Sequence, residues 1–273
     1  MCRVSCSVML AGVWCRFLRW QVVGLVSRFR FGLVGPFLFL GVPMVDRLRL
    51  VGARRDSLAG FSLLLMFFDH LVELVFRPSS LWSVYVFRMP GRFCMPAFAV
   101  LVAAALVLRP GGARSYLWRL FLLACVSELP YVWAFGVPVN AVFALFAGGL
   151  VGFLLVLSPG CWRARLVGLA ALLFFSSVCL LLGQAFEAAY AWLVVCLVLW
   201  FAGGSLLALA GAFLCCLGLN VGWVFAVASC AALAWCLWGP VPPLPRLSPR
   251  FRYAFYPVHL AALAGVAFLL RVA

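Results

Sequence analysis

The chain contains no lysine, only six acidic residues and only two histidines among its 273 residues. Without lysine, a catalytic mechanism that uses a lysine amine is excluded. Only 10% of the residues are charged, whereas a soluble domain needs a charged exterior around its apolar core. The composition therefore excludes a soluble globular fold of this length.

Apolar residues make up 68% of the chain, and its mean hydropathy is strongly positive. Apolar runs recur at about 20 residues, the length that crosses a bilayer as a helix. Backbone polar groups in lipid need internal partners, so segments rich in Leu, Ala and Val must be helical there. We predict an all-α, polytopic transmembrane helical bundle with roughly eight to ten spans.

Glycine- and proline-rich breaks separate the predicted spans, as expected for residues that end helices. The predicted spans lie near residues 58–76, 94–108, 117–136, 139–158, 165–183, 187–203, 205–218, 221–238 and 253–271.

Arginine clusters predict the orientation, because short cytoplasmic loops keep positive charge. Most clusters fall between spans on one side, namely around residues 47–55, 109–119, 163–165 and 246–252. One loop on the opposite side breaks this rule, since it carries Arg77, Arg88 and Arg92. That exception indicates that its arginines serve another purpose.

A net charge of +15 is typical of nucleic-acid-binding proteins, and 12 cysteines are typical of disulfide or metal-binding proteins. The positions of the arginines and cysteines disfavour both classes. The basic residues lie between apolar runs and form no surface for nucleic acid, so no nucleic-acid partner is predicted. The cysteines form no Cys-x-x-Cys pair, and most lie singly in apolar segments as small hydrophobic residues. We predict no metal site.

Residues 1–52 are apolar but interrupted by arginines, and they lack the cleavage pattern of a signal peptide. Two interpretations stay open for this extension. It forms one or two extra membrane helices, or it is an upstream extension of a shorter protein that starts at Met44. We place the functional domain at residues 53–273.

Ionisable residues inside the spans are informative, because a charge at the bilayer centre costs roughly 2.5–3.5 kcal/mol on insertion scales. Asp69, His70 and Glu73 lie in the first core span at helical spacings of three and four, so they share one face. The second histidine, His259, lies three residues after Tyr256 in the last span. We predict a functional site around these residues.

Further polar residues lie near predicted helix ends: Arg88, Arg92, Glu128 and Asn140. A functional interpretation assigns them to substrate binding. A structural interpretation makes the arginines interfacial anchors, Glu128 their ion-pair partner and Asn140 a helix N-cap.

A set of short motifs follows in a fixed order along the chain. They are Asp69-His70, Gly91-Arg92 with Pro96 and Phe98, Tyr116 with Arg119-Leu120, Ser127-Glu128 with Pro130, Asn140 with Phe143, and Phe255-Tyr256-Pro257 with His259-Leu260. This order resembles the TraX family over roughly residues 53–271. The chain departs from the family pattern at residues 103–109 and at Ala144.

The resemblance implies a membrane acetyltransferase of the bacterial inner membrane, like the family's founding example, which acetylates the N-terminus of conjugative pilin. It implies acetyl-CoA as co-substrate, no bound cofactor, and a pilin, another protein or a glycan as acceptor, in contact with membrane lipid. His70 would be the general base. Asp69 would orient its ring or hold the acceptor ammonium.

The remaining site residues follow from the same resemblance. Arg88 and Arg92 would clamp the phosphates of CoA, for which the planar guanidinium is well matched. The predicted topology puts their loop on the side away from cytoplasmic acetyl-CoA, so either the loop is re-entrant or these arginines serve the acceptor instead. Glu128, Asn140, Tyr256 and His259 complete the predicted substrate-binding set. Two other classes stay open: a transporter in which the ionisable residues form a proton pathway, and a non-catalytic membrane scaffold for pilus or envelope assembly.

Overall fold

The structure, a computed structural model, describes residues 44–76, 80–157, 162–218, 223–240, 244–245 and 247–272. Within these ranges the chain is helical and has no β-strand. Its α-helices are α1 Met44–Leu71, α2 Leu81–Arg88, α3 Cys94–Leu108, α4 Ala113–Phe135, α5 Ala141–Leu157, α6 Trp162–Leu181, α7 Ala185–Gly203, α8 Leu206–Gly218, α9 Trp223–Trp238 and α10 Pro249–Val272. The predicted all-α fold is confirmed.

Three short helices join or extend these elements. A π-helix, Val72–Phe76, continues α1, and 3₁₀ helices at Pro90–Phe93 and Pro110–Gly112 precede α3 and α4. The residue ranges long and apolar enough to cross a membrane are Arg54–Phe76, Val86–Leu108, Pro110–Phe135, Trp162–Leu181, Ala185–Gly203 and Pro249–Leu270. Shorter apolar helices lie at Ala141–Val156, Leu206–Gly218 and Trp223–Trp238. Each predicted span corresponds to one of these segments.

The first described helix, α1, begins at Met44 and runs without a break into the first predicted span. Residues 44–52, which the sequence assigned to the extension, therefore belong to the same helix as the domain that follows. The two interpretations of the extension concern residues 1–43, which lie outside the described residues.

Left-handed glycines end the helices where the sequence predicted breaks. Gly136 follows α4 with φ +73°, and Gly204 follows α7 with φ +68°, a conformation that glycine adopts without steric cost. Ser248 starts α10 by accepting a hydrogen bond from the backbone N–H of Phe251 at 3.2 Å.

Helix α7 lies at the centre of the bundle, packed against α3, α5, α6 and α8. Its Tyr190, Leu193 and Leu197 are fully buried, as expected for a helix that is apolar all round. Gly148 and Gly152 on α5 let this helix approach α7 closely, because a Cβ at Gly148 would overlap a backbone carbonyl of α7.

The outer helix α6 presents large apolar side chains outward, with Leu181 87% exposed. Such exposure is typical of a lipid-facing surface. On the other side of the bundle, α1 and α10 pack against each other, and α10 also packs on α4. These three helices and α3 supply most of the wall of the central cavity described next.

Candidate active site

A cavity of about 740 Å³ extends through the interior of the bundle. One end, the arginine end, is lined by Arg55, Arg109, Arg119 and Arg252. The other end, the histidine end, is lined by Asp69, His70, Glu73, Arg88, Arg92 and Glu187. The two ends are about 22 Å apart along α1, since 15 residues separate the first arginine from His70.

A hydrogen-bonded histidine pair lies at the histidine end. His70 Nδ1 is 2.8 Å from His259 Nε2, and the two rings are nearly coplanar, with 5° between their planes. His259 Nδ1 is 2.8 Å from the Phe255 carbonyl oxygen. α1 and α10 thus present the two histidines of the chain to each other.

The hydrogen bonds assign the tautomers of the neutral pair. A carbonyl oxygen can only accept, so His259 Nδ1 carries a hydrogen and His259 Nε2 is an acceptor. His70 Nδ1–H then donates to His259, which leaves the lone pair on His70 Nε2. His70 therefore presents a base to the cavity that it lines.

His259 supports His70 from behind and is only 5% exposed. It is absent from the described residues that line the cavity. Aromatic rings enclose the pair: Phe135 stands edge-on to His70 at 5.4 Å, and Phe255 stacks on His259 at 4.8 Å. The sequence assigned His259 to substrate binding, whereas the structure gives it a positioning contact. Tyr256, by contrast, does line the cavity.

Asp69 forms an ion pair with Arg88 rather than orienting the ring of His70. Arg88 Nε lies 3.3 Å from Asp69 Oδ1, and its Nη2 lies 2.6 Å from Glu73 Oε2. The ring-orienting role predicted for Asp69 belongs to His259 instead. Glu73 lies in the π-helix after α1, a wider turn that is frequent at functional sites.

Arg92 has no carboxylate partner in the described part of the chain. Its Nε is buried and without a hydrogen-bond acceptor, and its guanidinium lies 4.8 Å above the ring of Phe225. Because Arg92 also lines the cavity, its N–H groups are available to a ligand there. Of the arginines that break the positive-inside pattern, Arg88 and Arg92 thus line the cavity, and Arg77 lies outside the described residues. Arg88 contacts two carboxylates, whereas Arg92 contacts none in the described part of the chain.

The position directly before Arg92 requires glycine, because it has no room for a side chain. It is buried in the 3₁₀ helix Pro90–Phe93, and a Cβ built on it would overlap the side chain of Asp69. Its carbonyl accepts a hydrogen bond from Cys94 Sγ at 2.9 Å. Only glycine at this position lets the turn approach α1 closely enough for Arg88 to reach Asp69.

A profile of the family described as TraX protein matches residues 54–267, most of the chain. The chain belongs to the TraX family. No curated protein and no solved structure matches it. The TraX family is linked to pilin acetylation.

Two other motif residues of this TraX-family chain form a cap away from the cavity wall. Glu128 accepts hydrogen bonds from the backbone N–H groups of Val139 at 2.6 Å and Asn140 at 3.0 Å. Asn140 caps α5 by accepting from the Val142 N–H at 2.9 Å. Its side chain also donates to Glu128 and to the Ala124 carbonyl.

This cap decides between the two interpretations offered for its residues. The N-cap role of Asn140 is confirmed, whereas the ion pair of Glu128 with the arginines is wrong, because backbone and amide N–H groups occupy its carboxylate. Neither residue is among the described residues that line the cavity. Their predicted contact with substrate stays a prediction.

Glu187 of this TraX-family chain lines the cavity although it was not among the residues predicted from the sequence. Its side chain is 6% exposed, lines the cavity and forms no ion pair with any described residue. Tyr131, also in the cavity wall, lies within electrostatic reach of both Glu187 and Glu73. The sequence did offer one indication of Glu187: the chain has only six acidic residues, so each of them is a candidate for a functional role. Glu187 is the first residue of the predicted span 187–203, and no second acidic or basic residue or histidine in that span forms a spacing pattern with it.

Proposed function

We propose that this TraX-family chain is a membrane-embedded acetyltransferase that moves the acetyl group of acetyl-CoA to an amine, by family relation the N-terminus of a pilin subunit. The observation that carries the proposal is the lone pair of His70 Nε2 at the cavity wall, held there by the bond to His259. Buried ionisable groups in membrane proteins are retained for function.

The reaction assigned to this site is direct acyl transfer. The amine nitrogen attacks the thioester carbonyl carbon, the N–C bond forms, and the C–S bond breaks. The attacking group is the neutral amine, which forms when the bound ammonium releases one proton to water. During attack His70 Nε2 takes a second proton from the nitrogen and gives it to the departing CoA sulfur, so the products are the amide, the CoA thiol and one released proton. His259 accepts the hydrogen bond from Nδ1–H throughout and keeps the ring in the required orientation.

Arg92 is suited to stabilise the charge that develops during attack. The thioester oxygen becomes an oxyanion, which needs preorganised donors in a site that excludes water. Arg92 offers N–H donors that no described carboxylate occupies, whereas Arg88 is neutralised by Asp69 and Glu73. We therefore assign the oxyanion contact to Arg92.

Glu187 is suited to receive the acceptor. It is a buried carboxylate in the cavity wall without a cationic partner among the described residues, so an ammonium group would supply the missing charge. This assignment replaces Asp69, whose carboxylate already pairs with Arg88. An amine acceptor fits the site better than a hydroxyl for this reason.

The test is acetyl transfer by the purified full-length chain in detergent. Labelled acetyl-CoA is supplied with pilin N-terminal peptides, glycans and small amines. His70→Ala is expected to lower transfer by about 10²- to 10⁴-fold, the usual contribution of a general base. Leu64→Ala is a matched control on the same helix, because Leu64 is 60% exposed on the outer surface; it should transfer at the wild-type rate.

The opposite results identify the rival classes. Equal transfer by wild type and His70→Ala contradicts the assigned base. No transfer to any acceptor, together with proton or solute flux in vesicles that His70→Ala abolishes, indicates a transporter. No transfer and no flux, with assembly of the pilus unchanged by His70→Ala, indicates a scaffold.

A further inference from the structure

The arginine end of the cavity gathers positive charge from four separate elements. Arg55 comes from α1, Arg109 directly follows α3, Arg119 lies on α4 and Arg252 on α10. These residues are far apart in sequence and meet only because the bundle closes around the cavity. Like charges that converge in this way repel one another unless anions lie between them.

The nearby carboxylate neutralises only part of this charge. Asp56 accepts a hydrogen bond from Arg252 Nη1 at 3.0 Å and lies 4.0 Å from Arg55 Nε. Arg109 and Arg119 contact no carboxylate in the described part of the chain. The arginine end therefore has a surplus of cationic donors that face the cavity.

Neutral polar groups complete this end of the cavity. Tyr116 and Tyr253 lie close to each other and line the cavity, and Tyr116 is within electrostatic reach of Arg55, Arg119 and Arg252. Gly112 lines it too, but its N–H already donates to the Arg109 carbonyl at 2.9 Å. The guanidinium and hydroxyl groups are therefore the donors that this end offers to phosphate oxygens.

We infer that the arginine end is the binding site for the phosphate groups of acetyl-CoA; this inference rests on the proposed function. The thioester must reach His70, about 22 Å away along α1. CoA has this architecture, because its long pantetheine arm separates the thioester from the phosphates. Between the two ends the cavity wall is apolar, with Leu63, Met66 and Leu120, which suits the uncharged arm.

This site differs from the one that the sequence suggested. Arg88 and Arg92 were predicted to clamp the phosphates, but they lie at the histidine end, where Arg88 is already neutralised. The arginine end also lies on the side that the arginine clusters predict to be cytoplasmic. Acetyl-CoA is supplied on that side.

The positive-inside rule alone does not explain why these arginines line the cavity, because it requires only that arginines lie on the cytoplasmic side. Arg114 and Arg163 belong to the same predicted cytoplasmic side and are exposed, as Arg109 and Arg119 are, but they are not among the cavity-lining residues. They are matched controls, since removing them changes the same net charge at the same membrane face. Only the cavity-lining arginines should matter for CoA.

The experiment measures equilibrium binding of labelled CoA, without an acetyl group, to the full-length chain in detergent. Arg55→Gln/Arg119→Gln is expected to weaken CoA binding at least about tenfold, since each lost charged hydrogen bond costs roughly 1.5–3 kcal/mol. Arg114→Gln/Arg163→Gln should bind CoA as the wild type does. Arg55→Lys/Arg119→Lys should recover part of the affinity and shows that the loss is one of charge.

Competition identifies the recognised group. Inorganic pyrophosphate should displace CoA from the wild type, and rising salt should weaken binding. The inference is overturned if the wild type binds no CoA, if both double variants lose affinity equally, or if neither does. It is also overturned if vesicles containing phosphatidylglycerol displace CoA and pyrophosphate does not, because the site is then one for lipid headgroups.

The result separates this inference from the proposed function. His70→Ala should still bind CoA, because it leaves the arginine end unchanged. One outcome is that the wild type binds CoA through Arg55 and Arg119 but transfers acetyl to no acceptor. This outcome supports the phosphate site and contradicts the acetyltransferase function. Transfer that is lost in His70→Ala but unchanged in the arginine variants sustains the enzyme and rejects the site.

Discussion

His70 and His259 are 189 residues apart in the chain and share a hydrogen bond of 2.8 Å between Nδ1 and Nε2. Through this bond the last helix determines which nitrogen of His70 faces the cavity. The packing of this helix therefore affects the proposed general base, His70. Substitutions of His259 test this contact while leaving His70 in place.

His259→Ala removes the acceptor for His70 Nδ1–H and should lower kcat about tenfold, the effect of one hydrogen bond of about 1.4 kcal/mol. The KM for acetyl-CoA should not change, because His259 is not among the described residues lining the cavity. His259→Gln supplies a carbonyl acceptor and should recover part of kcat. Steady-state kinetics measure both, and a higher KM with unchanged kcat would instead assign His259 to substrate binding.

Arg88→Ala leaves Asp69 and Glu73 in the protein without their shared cation. We expect a loss of roughly 2–4 kcal/mol in the free energy of unfolding, below the full cost of breaking a completely buried pair because Glu73 is partly exposed. Thermal unfolding in detergent measures it. Combining Arg88→Ala with Glu73→Ala should cost less than the sum of the single changes, and an additive result would show that the two side chains do not interact.

Gly91→Ala forces a methyl group into the space of the Asp69 side chain. Such overpacking typically costs about 1–3 kcal/mol, and it should also displace Arg88 from Asp69. Both the melting temperature and acetyl transfer should fall. Gly111→Ala is the control, because a Cβ there meets no atom within 4 Å, and equal effects of the two substitutions would contradict the close approach at Gly91.

Glu128→Ala leaves the backbone N–H groups of Val139 and Asn140 without their acceptor. The expected result is a loss of about 2 kcal/mol or more in stability, since unpaired buried donors retain their desolvation cost. The surviving folded fraction should bind acetyl-CoA and the acceptor with wild-type KM values. A change in either KM at unaltered stability would favour the substrate-binding role predicted from the sequence.

Glu187→Gln keeps the shape of the side chain but removes the charge proposed to hold the acceptor ammonium. The KM for an amine acceptor should rise by about tenfold, as expected for one charge-assisted contact, while that for acetyl-CoA stays unchanged. Initial rates at varied acceptor concentration give both constants. If the KM for acetyl-CoA rises instead, Glu187 acts on the donor and the assignment of the two cavity ends is reversed.

Much of the fold could be predicted because membrane spans are local properties of the chain. The breaks at Gly136 and Gly204 depend on the few residues around them and on glycine's access to positive φ. Helix ends were less predictable, since flanking residues such as Glu187 extend a span beyond its apolar core. The helix begins at Ala185, two residues before the predicted span, so Glu187 lies in its first turn and not at its end.

The rare residue types directed attention to the correct part of the site. Asp69, His70, Glu73 and the two arginines do line one end of one cavity, as helical spacing and the broken charge pattern indicated. Their partners were not predictable in the same way. Sequence neighbours suggested that Asp69 serves His70, but adjacent residues on a helix point in different directions.

By itself, the sequence determined that this protein is a helical membrane bundle of the TraX family and which rare polar residues its interior must accommodate. Hydropathy and motif order contain that information without any knowledge of packing. Only the tertiary structure decided that His259 supports His70, that Arg88 contacts two carboxylates while Arg92 contacts none among the described residues, and that four distant arginines share a cavity. These relationships join helices far apart in the chain, and they exist only once the helices pack together.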